Sequence, residues 1–344
     1  MRYSFKNDYG EGCHDKILKA LSYTNLETQD GYGDDEYSKR AKELIKKKLS
    51  SKDSEIYFVS GGTQANLIVI SSILKPYESV ISANSGHINV HEAGSIEAIG
   101  HKINTVRCSD GKLRVEDIET VLSEHKEAPH VVKPKMVYIS NSTELGTIYN
   151  MVELLKLSNF CKKNGFYLFM DGARLGSALC SKDNDVSMED LAKLLDIFYI
   201  GGTKNGALLG EAIVINNDEL KKDFAYNLKQ KGALMSKGRV LGLQFATLFE
   251  DNLFFDLATH ANLMAQKIAK TVRKCGFKFL CEPQTNQIFP ILPNILIEKL
   301  EKKYSFYVWE KINKDFSAIR IVTSWATKES TVDKFIAFIE NGER

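Results

Sequence analysis

Phe198-Tyr199-Ile200-Gly201-Gly202-Thr203-Lys204-Asn205-Gly206-Ala207 is the stretch on which the reading of the fold turns. Phe198, Tyr199 and Ile200 are β-favouring and apolar, and two glycines follow them. A lysine set among small residues directly behind a hydrophobic strand is poorly explained as a surface charge, although an exposed loop lysine is the plainer alternative. Ile200 and the glycines leave the Lys204 side chain room to turn into a crevice. Desolvation and neighbouring cations lower the pKa of such an amine and suit it to Schiff-base chemistry.

Upstream lies a second strand with chemistry at its end, Phe169-Met170-Asp171-Gly172-Ala173-Arg174. An aspartate directly behind an apolar strand is expensive to bury without a partner that satisfies it. A protonated ring nitrogen is one such partner; the bland alternative is an N-cap for the next segment. Further upstream, Ser60-Gly61-Gly62-Thr63-Gln64-Ala65-Asn66 separates the strand-like Ile56–Val59 from an apolar helix over Ala65–Leu74. Small residues at a helix start let an anion approach the first-turn N–H groups, and the Thr63 hydroxyl can add a bond. The spacing matches neither a nucleotide P-loop nor G-x-G-x-x-G, and a tight turn explains it equally well.

Around these pieces β-rich runs alternate with helical patterns. Strands are expected at 79–82, 135–140, 166–170, 197–200 and 211–215, with a helix over 152–163 closed by Asn164-Gly165. Such alternation predicts an α/β layer with a mainly parallel sheet, whose ligands sit at the C-terminal ends of its strands. Beyond residue 245 the texture changes to a long helix over 254–274, short strands at 277–280, 287–291 and 319–323, and a last helix over 331–339. The expected division is an N-terminal segment 1–20, a large domain 21–245 and a small α+β domain 246–344.

Composition narrows the function classes. The chain has 344 residues, 43% hydrophobic, with a formal net charge of +2. That is core enough for roughly two domains and gives no basic surface for nucleic acid. The run Lys46-Lys47-Lys48 reads as the solvated end of a helix. Met1 is followed by polar residues and an early Asp8, and no run approaches the ~18 apolar residues of a membrane span. The six cysteines are scattered and form no C-x-x-C pair, so reduced thiols in the cytoplasm and no metal site are expected.

Taken together, a phosphate turn, then a strand-end aspartate, then a strand-end lysine have the layout of fold-type-I pyridoxal-5′-phosphate (PLP) enzymes. The Asp171-Gly172-Ala173-Arg174-Leu175 and Lys204 segments are similar to those of the low-specificity threonine aldolases in the β-eliminating-lyase group. So are Gly33-Asp34-Asp35-Glu36-Tyr37, Gly62 to Asn66, Gly86-His87-Ile88 through His91-Glu92-Ala93-Gly94, and Ile319-Arg320-Ile321-Val322-Thr323. The resemblance spans nearly the whole chain. It implies an aspartate-aminotransferase-like fold: a mainly parallel sheet with helices on both faces, plus a smaller α+β C-terminal domain.

The resemblance also implies roles. Lys204 holds the PLP aldehyde, Asp171 keeps the pyridine nitrogen protonated, and His87 stacks on the ring and relays a proton. Gly62 and Thr63 hold the phosphate. Arg174 and Arg320 meet the amino-acid carboxylate, a task that suits a guanidinium fork. Tyr37 stands near the substrate, and Asn7 occupies the place of a family serine that binds the carboxylate. No metal is implied. The implied reaction is cleavage of L-threonine or L-allo-threonine to glycine and acetaldehyde, in a homodimer or homotetramer with its sites at the subunit interface.

Two departures qualify it. Asn141-Ser142 is followed by Thr143 where family members often carry a histidine, which leaves β-elimination, racemisation or transamination as the alternative. Along Lys229–Gly238 a family arginine that reaches the neighbouring subunit's phosphate is missing, and Lys231 or Lys237 stands in its place.

Overall fold

The computed structural model describes residues 2–342. Its strands are β1 (Tyr3–Ser4), β2 (Glu55–Val59), β3 (Glu78–Ala83), β4 (Ile103–Val106), β5 (Lys133–Ser140), β6 (Tyr167–Asp171), β7 (Ile197–Gly201), β8 (Glu211–Ile215), β9 (Gln287–Ile288), β10 (Ile291–Pro293), β11 (Tyr304–Ser305), β12 (Tyr307–Lys311) and β13 (Phe316–Val322). Seven of them form one sheet in the order β2-β8-β7-β6-β5-β3-β4. The pairs β3–β4, β3–β5, β5–β6 and β6–β7 are parallel, and only β8 runs antiparallel to its neighbours β7 and β2.

Every residue of β3, β7 and β8 is buried, and burial on both faces explains the continuous apolar runs of β7 and of β8 after Glu211; β3 buries Glu78, Ser79 and Ser82 among its apolar residues. Each buried aliphatic or aromatic side chain there contributes on the order of 1.5–3 kcal/mol. On one face the core includes Ile45, Leu154, Leu168, Phe198 and Phe254; on the other it includes Ile68, Val69, Phe169, Tyr199 and Phe224. The intervening helices stop where their sequences say. Asn150 and Glu153 form a capping box at the start of Met151–Asn164, and Gly165 ends that helix at φ 69°. Lys46, Lys47 and Lys48 lie in the last turn of Glu36–Leu49, where cations meet the helix dipole.

A smaller antiparallel sheet, β10-β13-β12 with β9 on β13, packs on the helices Leu253–Lys274 and Glu329–Gly342 around Ile268, Val272, Ile319 and Phe335. The N-terminal residues join it: β1 pairs with β11, and Phe5 is fully buried in this core. Two expectations fail here, both at a proline. Residues 277–280 form no strand, only a bridge between Phe279 and Pro290, and the run 287–291 splits into β9 and β10 around Phe289 and Pro290. Pro290 has no N–H to donate and cannot continue a ladder. The hairpin β12–β13 and strand β4 were not expected from the sequence.

Strands β2, β3, β5, β6 and β7 all end at the same edge of the large sheet, and β8 begins there. Gly62, His87, Asp171 and Lys204 each follow or close one of these ends.

Candidate active site

Asp171 is the last residue of β6 and is 4% exposed. Its carboxylate accepts four hydrogen bonds, all from neutral donors. Oδ1 takes the Tyr199 hydroxyl at 2.5 Å and the Ala173 N–H at 3.0 Å; Oδ2 takes the Tyr138 hydroxyl at 2.6 Å and Asn66 Nδ2 at 3.1 Å. Burial by itself raises the pKa of this acid. The nearby His87 and the two tyrosine hydroxyls outweigh it, and the group lies below the ordinary carboxylate value. Gly62 belongs to the same arrangement, because a Cβ there would come within 2.9 Å of the Tyr199 hydroxyl.

Lys204 stands three residues past the end of β7 and is half-buried. Desolvation and the charge of Arg174 lower its pKa, against Asp8, Asp171 and Glu211, so the amine is more readily neutral than a surface lysine. It lies 6.0 Å from the Tyr9 ring centroid and meets no carboxylate at ion-pair distance among the described residues. Behind it Glu211, at the start of β8, accepts the Gly202 N–H at 3.0 Å, and burial pushes this carboxyl up to about 8.

His87 opens a short helix after β3. Its Nδ1 is 2.8 Å from Oε1 of Glu92, whose side chain is fully buried and also accepts from Asn66 Nδ2 (2.8 Å) and Ser95 Oγ (2.7 Å). Glu92 therefore fixes the ring and leaves Nε2 without a partner among the described residues. The His87 backbone N–H donates to Oε1 of Glu144 at 3.0 Å.

Arg174 is closed by a carboxylate. Nε and Nη2 donate to Asp8 Oδ2 and Oδ1 at 2.7 and 2.9 Å, with side chains 10% and 1% exposed. Asn286 Nδ2 donates to the same aspartate at 2.9 Å. Arg320, in β13, has no such counter-ion among the described residues. Nε and Nη2 donate to Gln287 Oε1 at 3.2 and 2.6 Å, and its guanidinium lies 5.7 Å from the Trp309 ring centroid. Burial and the charge of Arg174 bring its pKa down to about 10.

The comparisons agree with this architecture. A family model described as Beta-eliminating lyase matches residues 13–293. The chain belongs to the β-eliminating lyase family. It is 34% identical over 340 residues to a low-specificity L-threonine aldolase of Pseudomonas sp. (strain NCIMB 10558), covering 97% of this chain and 96% of that protein. It is 31% identical to the enzyme of the same name from Pseudomonas aeruginosa, over 89% of each chain. A solved threonine aldolase of Leishmania major is 47% identical, with TM-score 0.97 over 98% of this chain and 99% of that one. The aspartate aminotransferase of Thermus thermophilus shares the fold at 13% identity and TM-score 0.74, over 99% of this chain and 91% of that one.

The protein is thus a PLP-dependent lyase of the aspartate-aminotransferase-like fold. The residues present fit that cofactor. A buried carboxylate held by neutral donors suits a protonated pyridine nitrogen, a lysine of lowered pKa suits an aldehyde, and the helix Gly62–Ile73 starts with no side-chain cap on its N-terminus. Thr63, at that start, is exposed.

Other sequence-picked residues of this lyase fall elsewhere. Asn7 lies beside Asp8 and accepts the Tyr9 N–H at 3.2 Å. The Tyr37 hydroxyl donates to Glu27, and its ring lies 5.2 Å from the Arg239 guanidinium; no hydrogen bond joins it to the Lys204 group among the described residues. Lys231 reaches Asn227 Oδ1 at 3.4 Å, and Lys237 is exposed. Thr143 is fully buried, with its hydroxyl 2.7 Å from that of Thr147. Sequence reasoning missed Tyr138, Tyr199, Asn66, Glu92, Asp8, Glu144 and Glu211. Tyr199, Asn66 and Glu92 stood inside the motifs that carried the resemblance, and Asp8 stood next to Asn7.

Proposed function

We propose that the protein cleaves L-threonine or L-allo-threonine to glycine and acetaldehyde. The observation that carries this reading is the meeting, at one sheet edge, of a low-pKa lysine, an aspartate held charged and a histidine oriented by a buried glutamate. The curated relatives above, named as low-specificity L-threonine aldolases, support it over nearly the whole chain.

When bound, pyridoxal phosphate supplies an aldehyde that condenses with amines and a π-system that takes up the electron pair left at Cα. The protein's own residues do the rest. Lys204 offers an amine that loses its proton more readily than a surface lysine. Asp171 keeps a proton on the ring nitrogen, and its four neutral donors hold it ionised for that task. Gly62 and Thr63 hold the phosphate at a helix start. Arg320, with Arg174 and Asn7 alongside, binds the amino-acid carboxylate and so orients the Cα–Cβ bond. Tyr37 borders the substrate. A base takes the β-hydroxyl proton, and His87, or a water oriented by its Nε2, is the candidate the resemblance offers.

We also assign the division into residues 1–20, 21–245 and 246–344, a cytoplasmic location, and a homodimer or homotetramer in which Lys231 or Lys237 reaches the partner's phosphate. No helix among the described residues is long and apolar enough to cross a membrane.

A second reading keeps the cofactor and changes the reaction to elimination, racemisation or transamination. The alanine racemase TOXG of Cochliobolus carbonum, 28% identical over 70% of this chain and 64% of that one, favours it. The test is acetaldehyde release from both threonine isomers by purified protein with added PLP. Glycine in equal amount, abolished in Lys204→Ala, is the expected result. Keto-acid or D-amino-acid formation without acetaldehyde replaces the aldolase reading with the second one.

A further inference from the structure

Glu144 is an acid the mechanism above does not use. It follows β5, half-buried, beside the edge where the site lies. Its Oε1 accepts two hydrogen bonds, from the His87 N–H at 3.0 Å and from Ser140 Oγ at 2.9 Å. Its Oε2 accepts no hydrogen bond from another residue, and no cation pairs with it, among the described residues; the other donor near the carboxylate is its own backbone N–H. An acid whose only task was to cap the His87 N–H would need one oxygen.

The groups around it are those of the site. Desolvation and Asp171 on β6 disfavour its charge, against its own backbone N–H, Ser140 and His87, and its pKa stands above the ordinary carboxylate value. Tyr138, on β5, and Arg174, past β6, both feel its charge. A carboxylate made more basic by its surroundings is a better proton acceptor near neutral pH. The neighbouring candidates are less free. The Thr143 hydroxyl is committed to Thr147 and to the turn N–H groups of Leu145 and Thr147. His87 is fixed at Nδ1 by Glu92, and its backbone N–H is spent on Glu144 itself.

We propose that Glu144 is the proton acceptor for the substrate's β-hydroxyl, with Oε2 as the accepting atom; this rests on the aldolase reading. As Cα–Cβ breaks, the hydroxyl proton moves to Oε2. The O–H electron pair becomes the second C–O bond of acetaldehyde. The Cα–Cβ pair stays with Cα, which takes up a proton to complete glycine, and Glu144 returns its proton to solvent.

The test uses holoenzyme and Glu144→Gln, which preserves an oxygen acceptor for His87 and Ser140. Three readouts are taken: kcat on both threonine isomers, deuterium exchange at Cα of glycine in D2O, and the infrared C=O band of a protonated carboxyl. The variant is expected to lose about 10²–10⁴-fold in kcat while glycine exchange stays within about threefold, because glycine has no hydroxyl proton to remove. The wild-type-minus-variant spectrum is expected to show the carboxyl band at pH above the ordinary carboxylate range. Glu144→Asp, which keeps an acid one methylene shorter, should retain more activity than Glu144→Gln. Wild-type cleavage with unchanged kcat in Glu144→Gln overturns the role of Glu144 alone. So do an equal loss of cleavage and exchange, equal losses in the Gln and Asp variants, or a missing band. No acetaldehyde from wild type that exchanges glycine overturns the aldolase reading and this role with it.

Discussion

The two ends of the site hold their charges in opposite ways. Asp171 is surrounded by two hydroxyls, an amide and a backbone N–H, none of which carries charge. Arg174 is met by the carboxylate of Asp8, two bonds to two oxygens. Neutral donors stabilise a buried ion without cancelling it, whereas a counter-ion does both. The Asp171 end therefore keeps a negative charge available to a cationic ring nitrogen. At the other end Arg174 is already paired with a carboxylate, whereas Arg320 is held by the neutral Gln287 oxygen and meets no carboxylate at ion-pair distance among the described residues. The two arginines to which the resemblance gives one task are held differently: Arg320 by a neutral oxygen, and Arg174 by a carboxylate that ties the N-terminal segment to the end of β6.

Breaking the Arg174 pair should have the largest effect. Asp8→Asn leaves a guanidinium 10% exposed with no counter-ion, and about 3–5 kcal/mol of unfolding free energy should be lost in a denaturant titration. Glycine, whose carboxylate can approach the freed arginine, is expected to restore part of that loss as its concentration rises. A loss below about 1 kcal/mol would mean that Arg174 is solvated, and the contrast with Asp171 would collapse. Next in size is Arg320→Gln. Removing one charge-assisted contact to the substrate is worth roughly 1.5–3 kcal/mol, so KM for threonine should rise about 10–100-fold with a smaller change in kcat. An unchanged KM there, with a raised KM in Arg174→Gln, would exchange the roles of the two arginines.

How much of this could be read from the chain follows from the range of the interactions involved. Lys204, Asp171 and Gly62 were legible because each follows an apolar strand within a few residues, and a parallel sheet brings such ends to one edge. Met151–Asn164 was legible through the Asn164-Gly165 pair that closes it, and the end of Glu36–Leu49 through its lysine run. The partners were not. Tyr138 and Asn66 reach Asp171 across 33 and 105 residues of chain, and Asp8 reaches Arg174 across 166. Nothing local in Lys6-Asn7-Asp8 distinguishes a buried counter-ion from a surface turn. The break at Pro290 could have been read, since a proline inside a proposed strand argues against it.

The smallest effect sharpens the contrast most. Tyr138→Phe removes one of four neutral donors, and Asn66 still serves the same oxygen of Asp171. The loss at neutral pH should be about 0.5–1.5 kcal/mol, well short of that in Asp8→Asn. Its pH dependence has a definite sign. The folded pKa of Asp171 lies below its unfolded value, so the stabilisation is present above the unfolded value and is lost as pH falls through the folded one. Removing a donor raises the folded pKa and shrinks that stabilisation. The gap between wild type and Tyr138→Phe should therefore be full at neutral pH and narrow as the solution is acidified through the carboxylate range. A gap that stays constant across that range would mean that the hydroxyl serves packing rather than the charge of Asp171. The carboxylate would then rely on Tyr199, Asn66 and the Ala173 N–H alone.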